Sequence, residues 1–539
     1  MKKIHMLKSV SLVLMIAFTI PLQAQAIDYY VDQSNPSAND QNTGAIDRPW
    51  KTITKANQTL TAGDTVYIKA GTYSNYINPA NSGAAGRYIS YEGYGGTVTI
   101  SGQAYGIRIN GKNYIKVSGI SGTNNTYHLY ITGGSYNYVH DCRFIGGTTA
   151  NYSANYWGSQ IVNNSSYNRI DNCTFAQWGY QDVGGVFAIG TEESTTDTTQ
   201  YNLVENSTFY SGAHHVFAIL GRYNVIRNNL MYNKAWNPDG HRVIYLMGST
   251  NSSFGIRNIV EGNRVGYAGI SYDDGYNPNQ LTAANYNIIR YNTYLKATGS
   301  GMAFDCGSAY PVAPSYNTVY NNTFYDNGKA ESGDYYECAM DFNDWGHPGT
   351  MQGNKFKNNI FYSNGTPPCS YGFWGSSAAN QTFAKNFADA NGNPLFVSES
   401  GTDPASITLP NLNLQPSSPA IDFGSYLTQA NGAGNNSKTL IVDDASYFQD
   451  GTYAPSGSIN ADWIAVGTVS NIVQISSVNY STNTITLASP ITWADNANIW
   501  LYKKSDGMRV LYGSAPDAGA YEFIQSAAPE APKNLRIIN

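Results

Sequence analysis

An asparagine-led phrase recurs nine times between residues 113 and 361 of this chain. Each phrase runs Asn, any residue, an apolar residue, any residue, two mostly polar residues, any residue and a large apolar residue. The phrases begin at Asn113, Asn137, Asn168, Asn202, Asn224, Asn258, Asn287, Asn317 and Asn354. A fixed phrase at variable spacing is typical of a solenoid of β-coils that carry loop insertions of different lengths.

Equal positions in successive phrases should lie side by side on adjacent coils, about 4.8 Å apart. The third and eighth positions are almost wholly apolar, so we expect both to point into the coil interior. The sixth position carries small polar residues, which predicts side-chain hydrogen bonds along the axis. Cys142 and Cys173 share this position on consecutive coils, so they are either bonded or stacked.

The fourth position lies between two inward positions and should face outward. Glu205, Arg227, Glu261 and Arg290 alternate in sign there, as side chains on neighbouring strands prefer. We therefore interpret Arg227 and Arg290 as structural residues.

The first 26 residues have the pattern of a cleavable secretory signal. Lys2 and Lys3 precede an apolar run at residues 10–22, and Ala24 and Ala26 offer a cleavage site. This run is too short to span a membrane comfortably, so we expect a secreted protein, extracellular or periplasmic, without membrane insertion. The formal net charge of −6 argues against a nucleic-acid partner. We also expect a monomer.

Changes of pattern along the chain predict a signal peptide and six further segments. They are the signal peptide at 1–26, an N-terminal cap and first coils at 27–110, central coils with loop insertions at 111–385, an irregular part at 386–436, a small all-β insert at 437–503, a return to the main body at 504–525 and a Pro-containing tail at 526–539.

Four features together resemble secreted right-handed parallel β-helix proteins of the pectate lyase-like superfamily. They are the short amphipathic opening at 49–56, the alternating strand at 63–73, the asparagine phrases and the closing segment at 516–522. The expected fold is therefore all-β, a right-handed parallel β-helix (solenoid) with a small all-β insert near the C-terminus. The resemblance implies a carbohydrate-active protein, a polysaccharide lyase or a glycoside hydrolase, whose polymer substrate lies along the helix. These features specify a fold and not a chemistry.

A basic window at residues 205–264 interrupts this acidic chain. His215 and Arg242 open consecutive strands there and should be neighbours. Lyase chemistry on uronates needs cations that neutralise the sugar carboxylate, and a Lys or His that removes the α-proton. We predict Lys234 or His215 as the base, with Arg242 as the neutralising cation. The predicted substrate-binding residues are His214, His241, Arg264, Trp236 and Trp345. The alternative is a solvated basic face with no catalytic role.

Asp273, Asp305 and Asp341 precede the asparagines of their own phrases by similar distances. This places them on three successive coils of one face. Oxygen ligands in such a group could hold Ca²⁺, or two of the carboxyls could act as the acid and base of an inverting glycosidase, about 6.5–9.5 Å apart. The alternative is that they lie in separate loops and accept hydrogen bonds from turn amides.

Three functions remain open from the sequence. The first is a polysaccharide lyase that cleaves a uronate-containing glycan by β-elimination, with Asp273, Asp305 and Asp341 as calcium ligands. The second is a glycoside hydrolase that uses the same aspartates. The third is a non-catalytic glycan-binding protein or surface adhesin. The Asn-Thr-Asp and Arg-Ile-Lys motifs of polygalacturonases are absent, so the catalytic assignments rest on position alone.

Overall fold

The computed structural model describes most of the chain. The described residues are 25–147, 157–178, 184–191, 196–213, 215–233, 242–248, 255–266, 279–282, 284–305, 313–328, 338–343, 350–374, 378–401 and 409–524. Within these ranges one α-helix is present, α1 (Ile53–Thr59), with two 3-10 turns at Ala378–Asn380 and Asp389–Asn391. No helix of the described residues is long and apolar enough to cross a membrane.

Three strands open the β-helix, and each later coil contributes strands to three faces. The opening strands are β1 (Asp28–Val31), β2 (Thr65–Tyr73) and β3 (Ile89–Ser101). Thr52 caps the N-terminus of α1 by accepting a hydrogen bond from the Lys55 backbone N–H, and Ile53 and Ala56 of α1 are buried in the first coils. The helix therefore covers apolar side chains at the start of the solenoid.

The first face is a sheet of ten parallel strands, called here the ten-stranded sheet. Its strands are β4 (Tyr105–Asn110), β7 (Tyr127–Thr132), β10 (Trp157–Val162), β13 (Gly185–Ile189), β16 (His215–Ile219), β19 (Arg242–Met247), β22 (Asn279–Thr282), β25 (Met302–Asp305), β28 (Met340–Asn343) and β31 (Tyr371–Trp374).

The other two faces are built by the asparagine phrases, and β1, β2 and β3 join them into one sheet of 23 strands. One face holds β5 (Ile115–Ser118), β8 (Tyr138–His140), β11 (Arg169–Asp171), β14 (Leu203–Glu205), β17 (Val225–Arg227), β20 (Ile259–Glu261), β23 (Ile288–Arg290), β26 (Thr318–Tyr320), β29 (Lys355–Lys357) and β32 (Thr382–Ala384). The other holds β6 (Ile120–Thr123), β9 (Arg143–Ile145), β12 (Thr174–Trp178), β15 (Thr208–Gly212), β18 (Leu230–Tyr232), β21 (Arg264–Gly266), β24 (Thr293–Leu295), β27 (Thr323–Tyr325), β30 (Ile360–Tyr362) and β33 (Phe387–Ala388).

The predicted register is confirmed from Asn137 onward. Val139 pairs with Ile170 and Phe144 with Phe175, and equal phrase positions stay paired as far as Phe361. The fold class is confirmed with it: an all-β, right-handed parallel β-helix.

The first phrase is an exception, because Val117, and not Ile115, pairs with Val139. The Oδ1 of Asn137 accepts a hydrogen bond from the Ile115 backbone N–H, 22 residues earlier. This coil is 22 residues long, so the equivalent of Asn137 on the coil before it is Ile115. Asn113 therefore lies two residues before the position that the repeat predicted for it. A tenth phrase went unrecognised because Gln381 replaces its asparagine, although Phe383 pairs with Phe356 as the repeat requires.

Two asparagine ladders run along the axis. The side chain of Asn137 donates to Asn168 at 2.9 Å, and such bonds continue through the first phrase position to Gln381. The sixth position forms the predicted second ladder, from Asn229 to Asn386. Cys142 and Cys173, at that same position, are buried free thiols and form no disulfide with each other. Burial raises the pKa of the Cys173 thiol.

The backbone conformation at the fifth phrase position accounts for the asparagines found there. Asn172, Asn206 and Asn228 have φ of 49°, 51° and 56°, in the left-handed region. Asparagine adopts this conformation more readily than most residues. The residue therefore bends the chain from one face to the next.

The fourth position alternates in charge as predicted, and its arginines are structural. Arg227 lies 2.7 Å from Glu205, and Arg290 lies 2.6 Å from Glu261. Both arginines are buried, because residues C-terminal to the coils, among them Ser458 and Asp462, cover this face.

The covering residues belong to a six-stranded sheet. Its strands are β36 (Thr428–Gln429), β37 (Gly434–Ile441), β38 (Trp463–Val466), β39 (Ile472–Asn479), β40 (Thr484–Trp493) and β41 (Asn498–Lys503); a separate antiparallel pair is β34 (Phe396–Ser398) with β35 (Asn411–Leu414). Leu203, Val225 and Ile259 of the helix share one apolar cluster with Ile464 and Leu487 of this sheet.

Candidate functional site on the ten-stranded sheet

The outward face of the ten-stranded sheet carries the basic residues singled out by the sequence. Side chains of Ile189 and Ile219 point into the coil core, while Ala188 and Ala218 pack outside it. The small alanine side chains leave room for larger neighbours, and Trp157 and Tyr245 fill it.

His215 and Arg242 are paired residues of adjacent strands, as predicted. The His215 ring stacks on Tyr245 with centroids 4.6 Å apart and lies 5.8 Å from the ring of Trp157. The Arg242 guanidinium lies over the Tyr245 ring, 5.3 Å from its centroid. His215 is only 3% exposed, whereas Arg242 is partly exposed. A cation therefore lies beside a buried aromatic stack, with access to solvent.

Asp305 and Asp341 lie on adjacent strands of the same face, but not side by side. Asp305 pairs with Asn343, and Asp341 pairs with Ala303. This offset of two residues separates the two aspartates by about 8 Å at the backbone, from the strand spacing and the rise per residue.

Asp341 is fully buried and accepts hydrogen bonds from two N–H groups of the described residues. The Trp374 Nε1–H donates at 3.1 Å and the Cys338 backbone N–H at 3.2 Å. Cys338 is itself bonded to Cys369 by a disulfide. A Cβ atom at Gly372 would lie 1.9 Å from the Asp341 Oδ1, so only glycine leaves space for this carboxylate.

The basic and acidic residues share one face. Arg242 and Asp305 are separated by β22, which is two strand spacings or about 10 Å along the axis. Arg242 lies at the start of its strand and Asp305 at the end of its own. An extended ligand that crosses the sheet obliquely would contact both.

Six of the predicted site residues lie outside the described residues: Lys234, Trp236, His214, His241, Asp273 and Trp345. His214 directly precedes His215, and His241 directly precedes Arg242, in the sequence. Their roles stay predictions.

Arg264 lies apart from His215 and Arg242, and its predicted role in substrate binding stays a prediction. Arg264 lies on β21, which belongs to a phrase and therefore to a different face of the helix. Its Nη2 donates to the Pro410 carbonyl at 3.3 Å. Sequence proximity to the basic window does not place Arg264 beside them, because each coil turns a corner between the strand before the phrase and the phrase itself.

Calcium chemistry at the acidic end depends on ligands beyond Asp305 and Asp341. Calcium takes six to eight oxygen ligands, and no group of three or more His, Cys, Asp or Glu side chains suited to a metal occurs among the described residues. Asp341 already accepts two N–H groups. Asp305, 9% exposed at the end of its strand, is the better placed of the two.

An aromatic group at the N-terminal end of the same sheet was missed by the sequence analysis. Tyr105 and Tyr127 stack at 5.5 Å, Tyr130 lies 5.0 Å from Tyr127, and the Arg108 guanidinium lies 5.1 Å from the Tyr105 ring. The signal was present, because strands before the first two phrases also carry tyrosines. Aromatic rings next to a cation are typical of sugar-binding surfaces, and these rings extend the candidate face toward α1.

Two family models match the chain. The first, described as "Pel9A-like, right handed beta helix region", matches residues 29–201, and the second, "Right handed beta helix region", matches residues 184–408. Together they cover the coils described above.

One curated relative and several solved structures are similar to parts of the chain. The uncharacterized protein YwoF of Bacillus subtilis (strain 168) is 33% identical over 96 residues, 16% of this chain and 20% of that protein. This chain thus matches about a fifth of the length of that relative. The crystal structure of pectate lyase Pel9A is 18% identical, with 76% of this chain and 94% of that chain covered at a TM-score of 0.45. The family 6 polysaccharide lyase Pedsa3628 of Pseudopedobacter saltans is 16% identical, with 68% and 95% covered at a TM-score of 0.43.

Proposed function

Because this chain is a right-handed parallel β-helix protein whose first coils match the Pel9A-like model, we propose that it is a secreted polysaccharide lyase that cleaves a uronate-containing glycan by β-elimination. The observation that carries the proposal is the pairing of His215 with Arg242 on an outward face that also holds an aromatic stack.

Arg242 is the proposed partner of the sugar carboxylate. A guanidinium forms two parallel hydrogen bonds with a carboxylate, and its charge stabilises the negative charge that develops when the α-proton leaves. The guanidinium lies over the Tyr245 ring, and this contact would help to position the charged group before substrate binds.

The base takes the proton from C5 of the uronate, and the electron pair of that bond forms the C4–C5 double bond. The C4–O bond breaks, and the leaving oxygen receives a proton. His215 lies between two aromatic rings and is 97% buried, which suits a positioning role better than direct proton removal. We therefore favour Lys234 as the base over His215.

The acidic end of the face is the proposed calcium site. Asp305 and Asp273 would supply carboxylate oxygens. Asp341 would instead hold the Trp374 side chain and the Cys338 backbone in place through the hydrogen bonds that it accepts. The ion would bind uronate carboxylates that Arg242 does not reach.

Export is part of the proposal and has separate support. The Cys338–Cys369 disulfide closes a 31-residue separation. Such bonds persist in oxidising compartments and are rare in the cytosol. The signal-like residues 1–26 are consistent with this.

Activity on a panel of uronate polymers tests the proposal. Elimination creates an unsaturated chain end that absorbs ultraviolet light, whereas hydrolysis yields reducing ends alone. We expect Arg242→Ala to lower kcat/KM by about 10²–10³-fold, as for the loss of one group that stabilises developing charge. Arg143→Ala, which removes an exposed arginine on another face, should leave it unchanged.

Three other outcomes would contradict parts of the proposal. Reducing ends without the absorbing product would favour the hydrolase alternative with its aspartate pair. Binding without turnover of any polymer would favour a glycan-binding protein. Activity that survives removal of divalent ions by a chelator would contradict the calcium site alone.

A further inference from the structure

A cleft between the β-helix and the six-stranded sheet lies away from the proposed active face. Its cavity has a volume of about 170 Å³. The lining residues are Arg257, Tyr286, Ile288, Tyr316 and Lys355 from the β-helix, with Asp444, Ser446, Tyr453, Tyr480 and Asn483 from segments that connect strands of the six-stranded sheet. The five β-helix residues come after the ten-stranded sheet in their coils, so they lie on a different face.

The helix wall of the cleft comes from a ladder of tyrosines that precede the phrase asparagines. Rings stack at about 5 Å from Tyr136 through Tyr167 and Tyr201 to Tyr223. The ladder resumes at Tyr286 and Tyr316, whose rings lie 5.1 Å apart. Arg257 occupies the one coil between Tyr223 and Tyr286, so a cation interrupts a column of rings at the cleft.

The Arg257 guanidinium is held by rings and by nothing else among the described residues. It lies 5.1 Å from the Tyr286 ring and 4.6 Å from the Tyr480 ring, and its side chain makes no hydrogen bond or ion pair within the part of the chain that the structure describes. Five N–H donors on a guanidinium are therefore available to a ligand. The nearby carboxylate of Asp444 is already engaged, since it binds Lys355 and accepts from the Ser446 hydroxyl.

The rim of the cleft is polar and aromatic. Tyr286 and Tyr316 are 44% and 38% exposed, which is high for rings of this size. Lys355 and Arg257 against Asp444 leave the lining with an excess of positive charge in a chain of net charge −6. Tyr453 and Tyr480 bond to each other through their hydroxyls at 3.0 Å, which fixes the covering wall.

We propose that this cleft is a second, non-catalytic binding site for a carboxylate-bearing sugar residue, which Arg257 binds through its guanidinium and the exposed tyrosines contact at the ring edges. A planar guanidinium clamped by rings is suited to two-point recognition of a carboxylate, and clamping reduces the side-chain entropy lost on binding. The cavity takes one sugar residue, with the rest of an acidic chain outside. The class of ligand rests on the proposed function, but the site does not depend on turnover.

Binding to short acidic oligomers tests the site in the full-length protein. Isothermal titration calorimetry with galacturonate and mannuronate oligomers should report two sites per chain for the unaltered protein. Arg257→Ala should remove one site or weaken it at least tenfold, and Arg257→Lys should have a smaller effect because it keeps the charge but loses the planar fork. The affinity for neutral galactose oligomers of equal length should be the same for the unaltered protein and both variants.

Controls separate loss of binding from loss of folding. Arg257 has φ of 55°, so Arg257→Asn keeps a residue that tolerates this backbone conformation. It should bind as weakly as Arg257→Ala while unfolding at the temperature of the unaltered protein. Arg143→Ala should retain both sites.

The two proposals fail in different ways. Equal affinity of Arg257→Ala and the unaltered protein for acidic oligomers, or no binding of acidic oligomers at all, would overturn the second site whatever the activity. Arg257-dependent binding in a protein that produces no unsaturated ends would overturn the lyase and leave the site standing. Turnover of the shortest oligomers should be unchanged by Arg257→Ala.

Discussion

Individual carboxylates near the end of the described chain show how burial changes ionisation. Burial raises the pKa of Asp517 to about 6, and the neighbouring Asp422 charge adds to the effect. Burial also raises the pKa of Glu522, again with neighbouring carboxylates contributing. Asp517 accepts backbone N–H groups from Asp422 at 2.8 Å and Phe523 at 2.5 Å, so its side chain holds the closing segment against the coils.

We predict that this cluster makes the free energy of unfolding fall as pH rises from about 4 to about 6. In the unfolded chain Asp517 returns toward its ordinary value of 3.8, so over this range the unfolded state binds fewer protons than the folded state. Asp422→Asn should reduce the fall, because it removes a charge while its Oδ1 can still accept from the Ala515 N–H.

Urea unfolding at several pH values measures this. The exposed Asp443 provides the control, and Asp443→Asn should keep the pH dependence of the unaltered protein. Identical curves for Asp422→Asn and the unaltered protein would contradict the assignment.

At the scale of single elements, the asparagine ladders stabilise the bends between strands. Asn292 Oδ1 accepts from both the backbone N–H and the side chain of Asn263, at 2.9 Å and 3.0 Å. Its amide donates to Asn322 and to the Val260 carbonyl. Each ladder residue thus satisfies buried backbone groups on the preceding coil and donates to the side chain of the next asparagine in the ladder.

Asn292→Ala should lower the free energy of unfolding by roughly 3 kcal/mol, because it leaves several buried groups without partners at about 1–3 kcal/mol each. The exposed Asn435 is the matched control, and Asn435→Ala should change stability by no more than about 0.5 kcal/mol. Chemical denaturation compares the two. A loss for Asn292→Ala as small as that of the control would show that water replaces the ladder.

At the scale of the whole molecule, one buried ion-pair network joins the β-helix to the six-stranded sheet. Arg290 is fully buried, donates to both Asp462 oxygens at 2.8 Å and lies 2.6 Å from Glu261. Tyr320 adds its hydroxyl at 2.9 Å. Burial raises the pKa of Asp462, while Arg290 acts in the opposite direction.

Arg290→Ala should destabilise the protein by about 3–5 kcal/mol, since it leaves the buried Asp462 carboxylate without its cation and removes the cation nearest to Glu261. A double-mutant cycle with Asp462→Ala, followed by thermal or urea unfolding, measures the coupling across the two sheets. Additive effects of the two substitutions would mean that the network does not connect them. Arg143→Ala again serves as the exposed-arginine control.

Much of the architecture was predictable from the sequence, and the reason is geometric. In stacked coils, residues at equal positions of a repeat become neighbours, so the apolar interior, the second asparagine ladder, the pairing of His215 with Arg242 and the alternation of Glu205 with Arg227 all followed from counting. The same logic failed at Asn113 and Gln381, where a coil without insertion and an altered first residue break the pattern.

The repeat, the coil interior and the alternation of charge at the fourth phrase position can be read from the order of residues, because they depend on contacts between consecutive coils. Four other features became visible in the folded chain alone: Arg264 lies on another face, Asp341 is held by Trp374, Arg290 meets Asp462, 172 residues away, and Arg257 lies in a cleft. Those contacts arise where the chain turns a corner or folds back over its own coils. No periodic pattern records them, since each occurs once.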